Sequence, residues 1–562
     1  MTISERNDFM NTKMNSMRKL AAVMAVVSSV TSLTACGAAS TDEADSYTRG
    51  QNNVQYNSTE AAAGECAPAD YDEAPADNAD FEQNDEEYNY ISENGYTAVS
   101  SAPLSTFSAD VDTASYTNVR RMIDDGMDVP PDAVRIEEFI NYFDYDYADP
   151  ADGEPFAVHT ELSDCPWNDE TELLMVGINT KGFDAVLDER PAMNLVFLID
   201  VSGSMYDDNK LPLVQKSFSM LTDNLTAADR VSIVTYAGSD EVVLEGADGN
   251  DRKKILRAIN DLEAGGSTAG AAGINTAYDI AQKYFIDGGN NRVILATDGD
   301  LNVGLSSESE LTRLIEEKRE SGVFLSVLGF GTGNYKDNRL EALADYGNGN
   351  YSYIDSEKEA KKVLVDEMSG TLFTVAKDVK FQLEFNPANV KGYRLIGYEN
   401  RVMAAEDFND DTKDAGEIGA GHSVTVLYEI VPADSKMELG ESELKYASDS
   451  EGVMGDELLT VNIRYKEPEG SESKLLTYPV NKSLYSDKMS ADMNFASCVA
   501  EFGMLLRNSR YIGDVTYKDV SAQLSKYDYS DDDYKDEFIY LVNTMKRRDT
   551  RAYLKTQKSC II

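Results

Sequence analysis

The chain is 562 residues long and carries 51 basic against 100 acidic residues, a formal net charge of −49. That length exceeds what one hydrophobic core serves and points to about three or four domains. A negative field of this strength repels nucleic acid and anionic lipid surfaces and favours cations and basic partners, so nucleic-acid binding is disfavoured.

Near the start, Arg18-Lys19 precede an apolar stretch over 20–33 that closes as Leu33-Thr-Ala-Cys36-Gly. The stretch is shorter than the roughly 20 residues a bilayer span needs, and reads as the apolar region of a signal peptide. Its ending resembles a bacterial lipobox, which implies lipidation at Cys36. Residues 1–36 are therefore expected to be a lipoprotein signal peptide, with Met14 or Met17 as alternative starts. Residues 37–100 are rich in Ala, Asp, Glu, Asn, Ser and Tyr without periodicity. Low hydrophobicity with high charge cannot offset ordering entropy, so a disordered acidic linker is expected there. Cys66, Cys165, Cys498 and Cys560 lie far apart with no Cys-x-x-Cys pair, which argues against a zinc site or a dense disulfide framework.

Order is expected from about Leu104. Helical spacing in Ser115-Tyr-Thr-Asn-Val-Arg-Arg-Met-Ile and after Pro131, with strands over 156–162 and 173–178, predicts a small α+β region over 101–190. Over 191–371 the period alternates. Strands are predicted at 195–200, 231–236, 293–297, 323–329 and 351–354, and helices at 211–225, 253–262, 274–285, 308–321, 339–346 and 357–368. Strands of nearly continuous apolar character between helices predict a doubly wound, mostly parallel sheet. The period then becomes two, as in Val379-Lys-Phe381-Gln-Leu383-Glu-Phe385 and Leu459-Thr-Val461-Asn-Ile463-Arg-Tyr465, predicting a β-sandwich over 372–488. Phe495, Val499, Phe502 and Leu506, then Phe538, Leu541 and Met545, mark helix faces in a C-terminal helical region over 489–562. The whole is expected to be multidomain α/β.

The first central strand ends in Asp200-Val-Ser202-Gly-Ser204, which gathers carboxylate and hydroxyl oxygens at one point above a sheet. Such hard oxygens suit Mg²⁺, with Mn²⁺ or Ca²⁺ as alternatives. Thr268, in Gly265-Gly-Ser-Thr268-Ala-Gly270, and Asp298, in Leu295-Ala-Thr-Asp298-Gly299, fall on loops that a parallel sheet would bring to the same edge.

With those motifs in place, the segment resembles a von Willebrand factor type A (VWA) domain with a metal-ion-dependent adhesion site. The resemblance implies that Asp200, Ser202, Ser204, Thr268 and Asp298 ligate one divalent cation and that an acidic side chain of a protein partner completes its coordination. Beyond this segment the chain is similar to a bacterial lipoprotein subfamily. That likeness lies in Ser105-Thr-Phe-Ser-Ala-Asp-Val-Asp112-Thr-Ala-Ser-Tyr116, Cys165-Pro-Trp167, Gly329-Phe-Gly-Thr-Gly-Asn-Tyr335, Phe385-Asn-Pro387, Leu395-Ile-Gly-Tyr-Glu-Asn400 and Glu501-Phe-Gly-Met-Leu-Leu-Arg507.

Other motifs have plainer readings. Asp110-Val-Asp112-Thr-Ala-Ser115 mimics the ligand pattern but is expected to cap the following helix, and Asp300 and Asn302 are expected to be solvated loop residues. Gly329-Phe-Gly331-Thr-Gly333 lacks dinucleotide-loop spacing, and Asp531-Asp-Asp533 lacks calcium-loop spacing. The only histidines, His159 and His422, sit in no zinc motif, and no nucleophile elbow or phosphate loop occurs. The expectation is therefore a non-enzymatic bacterial lipoprotein of the cell surface. It would touch the membrane only through its lipid and bind a protein partner through the cation. An envelope-complex assembly or signalling scaffold is the alternative, and a hydrolase is remote.

Overall fold

The computed structural model describes residues 86–562 except 110–111, 183–189, 267–269, 300–307, 334, 414, 440–454, 469, 471 and 560–562. Strands β1 (Thr97–Ala98), β2 (Leu104–Ser108), β3 (Phe156–Asp164) and β4 (Glu172–Thr180) precede the central unit. That unit holds β5 (Met193–Asp200), β6 (Arg230–Tyr236), β7 (Asp240–Asp248), β8 (Asn290–Thr297), β9 (Phe324–Phe330) and β10 (Tyr351–Ile354). After it come β11 (Thr374–Phe385), β12 (Val390–Ile396), β13 (Gly416–Gly419), β14 (Ser423–Pro432), β15 (Glu457–Lys466) and β16 (Ser473–Asn481).

The central sheet runs β10-β9-β8-β5-β6-β7 and is parallel except for β7, which pairs antiparallel with β6. Every residue of β5 is buried, and its side chains alternate between two cores. Phe197 and Ile199 pack with Val214, Phe218 and Ile255 on one face, whereas Val196 and Leu198 pack with Ala277, Tyr278 and Ile315 on the other. A strand sandwiched in this way has no wet face, which is why its sequence reads as an unbroken apolar run. Chain order reverses at β5, flanked by β6 on one side and β8 on the other. The carboxyl ends of β5 and β8 are therefore neighbours at the switch point, where open α/β sheets leave a crevice.

The five predicted central strands are present, whereas β7 was not foreseen because half of it faces solvent and its pattern is interrupted by Asp240, Glu241 and Glu245. The predicted helix over 357–368 is not continuous. Glu357–Lys361 gives way to a wider turn over Lys362–Asp366 before Met368–Leu372. The widened turn accompanies burial of Lys362, whose ammonium lies 4.8 Å from the Tyr142 ring centre and 5.0 Å from that of Tyr534.

The regions flanking the central unit share sheets and cores. One sheet runs β1-β12-β14-β4-β3; the other runs β13-β11-β15-β16, with β2 paired to β11. The two inner faces meet in one apolar cluster that includes Phe107, Leu174, Val176, Phe381, Val426 and Val461. Strands expected in a separate region over 101–190 are thus halves of the sandwich expected over 372–488. The helices of that stretch, Ala114–Asp124 and Ile136–Asn141, likewise merge with Ala491–Arg507, Tyr517–Leu524 and Asp533–Ser559. Phe143 meets Phe495 edge to face at 4.9 Å, and Phe502 meets Phe538 at 5.3 Å. Pairing across such sequence distance leaves no local signature, so the boundary at 190 was legible only as a change of period.

Packing also begins before the linker was expected to end. Glu87 N–H donates to the Tyr335 carbonyl at 3.0 Å, and the Glu86 carboxylate pairs with Arg121 at 3.0 Å. Acidic residues that look like part of a solvated run find specific cations here. Asp112 accepts the Tyr351 N–H of edge strand β10 at 2.8 Å and pairs with Arg401. The cap expected from this segment is instead supplied across the core, where Glu138 accepts the Ser115 N–H at 2.8 Å. Asp110 lies outside the described residues. The late acidic run Asp531-Asp-Asp533 caps a helix, with Asp532 accepting the N–H groups of Tyr534 and Lys535.

Arginines, buried or half-buried, clamp these parts together. Arg120 reaches Asp355 at 2.6 Å, Glu359 at 2.9 Å and Glu537 at 2.9 Å, joining the first helix, the central unit and the last helix. Arg135 bonds Glu138 and Asp337, and Arg401 pairs with Asp112 and Asp345. Removing one partner of a buried ion pair strands the other charge. Arg120→Met should accordingly lower unfolding free energy by about 3–5 kcal/mol in urea titration.

Glu501, 2% exposed on Ala491–Arg507, has its pKa pushed up to about 8, chiefly by burial. The folded protein therefore holds this proton more tightly than the unfolded chain, whose value is 4.5, and stability should fall as pH rises from 4.5 through about 8. Glu501→Gln should flatten that slope, raising melting temperature at pH 8.5 and leaving it unchanged at pH 4, as thermal melts across pH will read.

Candidate metal centre

The site begins where β5 stops. Val201 N–H donates to the Tyr236 carbonyl at 3.0 Å, the last tie to the sheet, and the Ser202 N–H then turns back to Asp200 Oδ1 at 2.9 Å. A side chain that accepts the N–H two residues on closes an Asx-type turn, a role suited to aspartate. A short 3₁₀ turn over Gly203–Tyr206 follows, anchored by fully buried Met205. The hydroxyls of Ser202 and Ser204 lie 3.0 Å apart. Asp200 is 0% and Ser202 2% exposed, while Ser204 faces solvent, so the oxygens lead from the interior outward.

Asp298 comes from the next strand over. At the end of β8, Thr297 Oγ1 donates to Asp200 Oδ2 at 3.2 Å and accepts the Gly299 N–H at the same distance. Thr297 thus couples the two aspartate loops. Asp298 is 5% exposed, and its Oδ2 accepts a hydrogen bond from Lys210 Nζ at 3.1 Å.

Thr268 lies outside the described residues, but the chain on either side of it is fixed. Gly265 N–H donates to the Val201 carbonyl at 2.8 Å, and Gly203 N–H donates to the Gly266 carbonyl at 3.1 Å. The helix Gly270–Lys283 begins just beyond. The structure therefore brings Asp200, Ser202, Ser204 and Asp298 to one sheet edge and brings the chain flanking Thr268 beside the first loop. Cys36, Asp300 and Asn302 also lie outside the described residues.

Burial dominates the electrostatics. It pushes the Asp200 carboxyl up to about 6, the nearby Asp298 charge adds to this, and contacts from Ser202 partly offset it. The Tyr236 hydroxyl is buried beside this carboxyl and interacts with Asp200 and Thr297. The site thus holds a fully buried carboxylate whose ionisation water does not support. Two carboxylates with adjacent hydroxyls, graded from buried to exposed, fit a hard divalent cation. Among the described residues no group of three His, Cys, Asp or Glu side chains that could hold a metal is found, here or elsewhere, so a cation at this edge would draw on two carboxylates and on hydroxyls. A cleft of about 570 Å³ is lined by Tyr90, Arg135, Glu341 and Arg401 among others and contains none of the site residues.

Sequence reasoning missed Thr297, Tyr236 and Lys210. Thr297 directly precedes Asp298 and was visible as a hydroxyl at a strand end. Tyr236 closes the predicted strand 231–236, and Lys210 immediately precedes the predicted helix 211–225, without either signalling a site. Both histidines are remote from the site. His159, on β3, stacks on Tyr147, and His422 lies between β13 and β14 near Thr180.

Family profiles cover most of the described chain. Residues 194–366 match the von Willebrand factor type A domain, residues 82–175 match a profile described as von Willebrand factor, and residues 370–547 match "Uncharacterized protein YfbK, C-terminal". The Escherichia coli K12 protein YfbK is 45% identical over 467 residues, covering 81% of this chain and 80% of that one. The chain belongs to the YfbK family. Protein sll0103 of Synechocystis sp. is 27% identical over 300 residues, covering 52% of this chain and 66% of its own length. Among solved structures, a von Willebrand factor type A protein from Catenulispora acidiphila is 17% identical with a TM-score of 0.36, covering 62% of this chain and 80% of that one. Domains of the VWA type often bind a divalent cation at the loops described above.

The raised Asp200 value carries a testable consequence for the protein held in chelator. Its stability should fall as pH rises from 3.8 through about 6, because the folded state retains a proton that the unfolded chain releases. Asp200→Asn should remove that loss, on the order of 2–3 kcal/mol at pH 7.5, as read by denaturant titration in EDTA.

Proposed function

We propose that this YfbK-family chain is a lipid-anchored bacterial surface protein that binds a protein partner through a divalent cation held by Asp200, Ser202, Ser204, Thr268 and Asp298. The observation that carries the reading is the junction of β5 and β8, where a buried carboxylate, a second carboxylate and two touching hydroxyls open toward solvent at one sheet edge. A Mg²⁺ there would supply the positive charge that lets an acidic partner approach a strongly acidic protein. Asp200 fixes the first loop through the Ser202 N–H, and Thr297 keeps the two aspartate loops in register. Ser204 and the 80% exposed Tyr206 are the parts a partner would meet first. With no histidine near the serines, a non-catalytic role is the simpler assignment.

A second reading, a scaffold within an envelope complex, is favoured by the apolar side chains on and just after β16, where Leu475 is 54% and Tyr485 43% exposed. It needs testing on the whole chain, because a fragment starting near residue 375 would lack the sheet partners supplied by β2, β3 and β4.

Mg²⁺ should bind wild-type protein and raise its melting temperature. Asp200→Ala and Asp298→Ala should abolish both effects with circular dichroism unchanged. Capture of a partner from envelope extracts should require Mg²⁺ and reverse with EDTA. Capture indifferent to EDTA and to both substitutions would favour the scaffold.

A further inference from the structure

We infer that Lys210 is a resident counter-cation of the metal centre, setting how tightly the site takes a divalent ion; the inference rests on the cation-binding reading above. Lys210 directly precedes the helix Leu211–Thr222, ten residues beyond Asp200. Its side chain is 10% exposed, and its ammonium donates to Asp298 Oδ2 at 3.1 Å.

The route it takes is built. The aliphatic stem crosses the backbone at Gly331, just past the end of β9, where φ is +77°. A Cβ on that glycine would sit 2.4 Å from Lys210 Cε and 2.6 Å from Cγ, so the lysine occupies the space a side chain would fill. The Tyr353 hydroxyl donates to the Gly331 carbonyl at 2.7 Å and holds this loop in place. The sequence Gly329-Phe-Gly331-Thr-Gly333, which no nucleotide-binding role explains, thereby acquires a purpose. Gly329 makes room for Tyr335, whose hydroxyl would lie 2.2 Å from a Cβ there, and Gly331 admits the lysine stem. Three elements, the start of a helix and the ends of β8 and β9, converge to bury one ammonium against one site carboxylate.

The consequence follows from charge. A dication entering beside Asp200 and Asp298 meets one net negative charge instead of two, and a like charge already pairs with the second carboxylate. In a site shielded from water that repulsion is strong. Lys210 therefore weakens binding of the bare ion and makes occupancy more dependent on the negative charge a partner brings. It also neutralises Asp298 when no ion is bound, limiting the cost of a buried carboxylate pair.

The test uses Mg²⁺ and Mn²⁺ alone, with the whole chain, by isothermal titration and by Mn²⁺ electron paramagnetic resonance. Lys210→Met should tighten both ions by at least about tenfold while lowering the melting temperature in EDTA. Lys210→Gln, which keeps a hydrogen-bond donor for Asp298 without the charge, should also tighten them and guards against a misfolded Met variant. If wild type binds in an Asp200-dependent way and neither substitution tightens the ion, the counter-cation role is wrong. If neither wild type nor the variants bind either ion, or binding survives Asp200→Ala, the cation-binding reading itself is wrong.

Discussion

The arrangement depends on ion pairs that fasten an inserted α/β unit into a frame made by the described stretches before and after it. Arg120, Arg135 and Arg401 each reach carboxylates contributed by separate stretches of sequence. A guanidinium suits this role because its planar fork donates in several directions while remaining charged when buried. In the low-dielectric interior such a cluster is costly unless every member is matched. It therefore tolerates one arrangement of the parts and penalises others. The frame shares this logic, since the first segments complete both sheets and the helical core that the last segments begin.

Local chemistry was legible and long-range pairing was not. The run from Met193 to Asp200 announces a strand covered on both faces, and the oxygens that follow it announce a loop at a sheet edge. The alternation around Phe381 and Val461 likewise gives a half-buried strand. No short window, by contrast, reveals that β4 lies beside β14 or that Phe143 packs on Phe495. Such contacts span hundreds of residues and leave no periodic trace. Edge strands such as β7 and β16 were lost for a different reason, because their exposed side chains blur the period.

At the site, residues with obvious ligand chemistry were found and residues that support them were not. Asp200, Ser202, Ser204 and Asp298 stand out by type and spacing. Thr297 and Lys210 act through contacts across loops, at 3.2 Å and 3.1 Å, that only the fold creates. Glycine was the overlooked clue. A position that cannot carry a Cβ points to whatever fills the space, and beside Gly331 that is an amine-bearing stem. Acidic segments taught a similar lesson, since Glu86 and Glu87 look like tether yet are matched to Arg121 and Lys336.

The central unit is entered from β4 and left through β11, and those two strands belong to opposite sheets of the sandwich. A mechanical pull applied at the β5 edge would therefore divide between two separate hydrogen-bonded ladders. Each antiparallel ladder would resist as a zone of many bonds sharing the force, and the arginine clamps would keep the unit from swivelling under it. A tug on this molecule would be felt throughout its frame instead of at a single hinge.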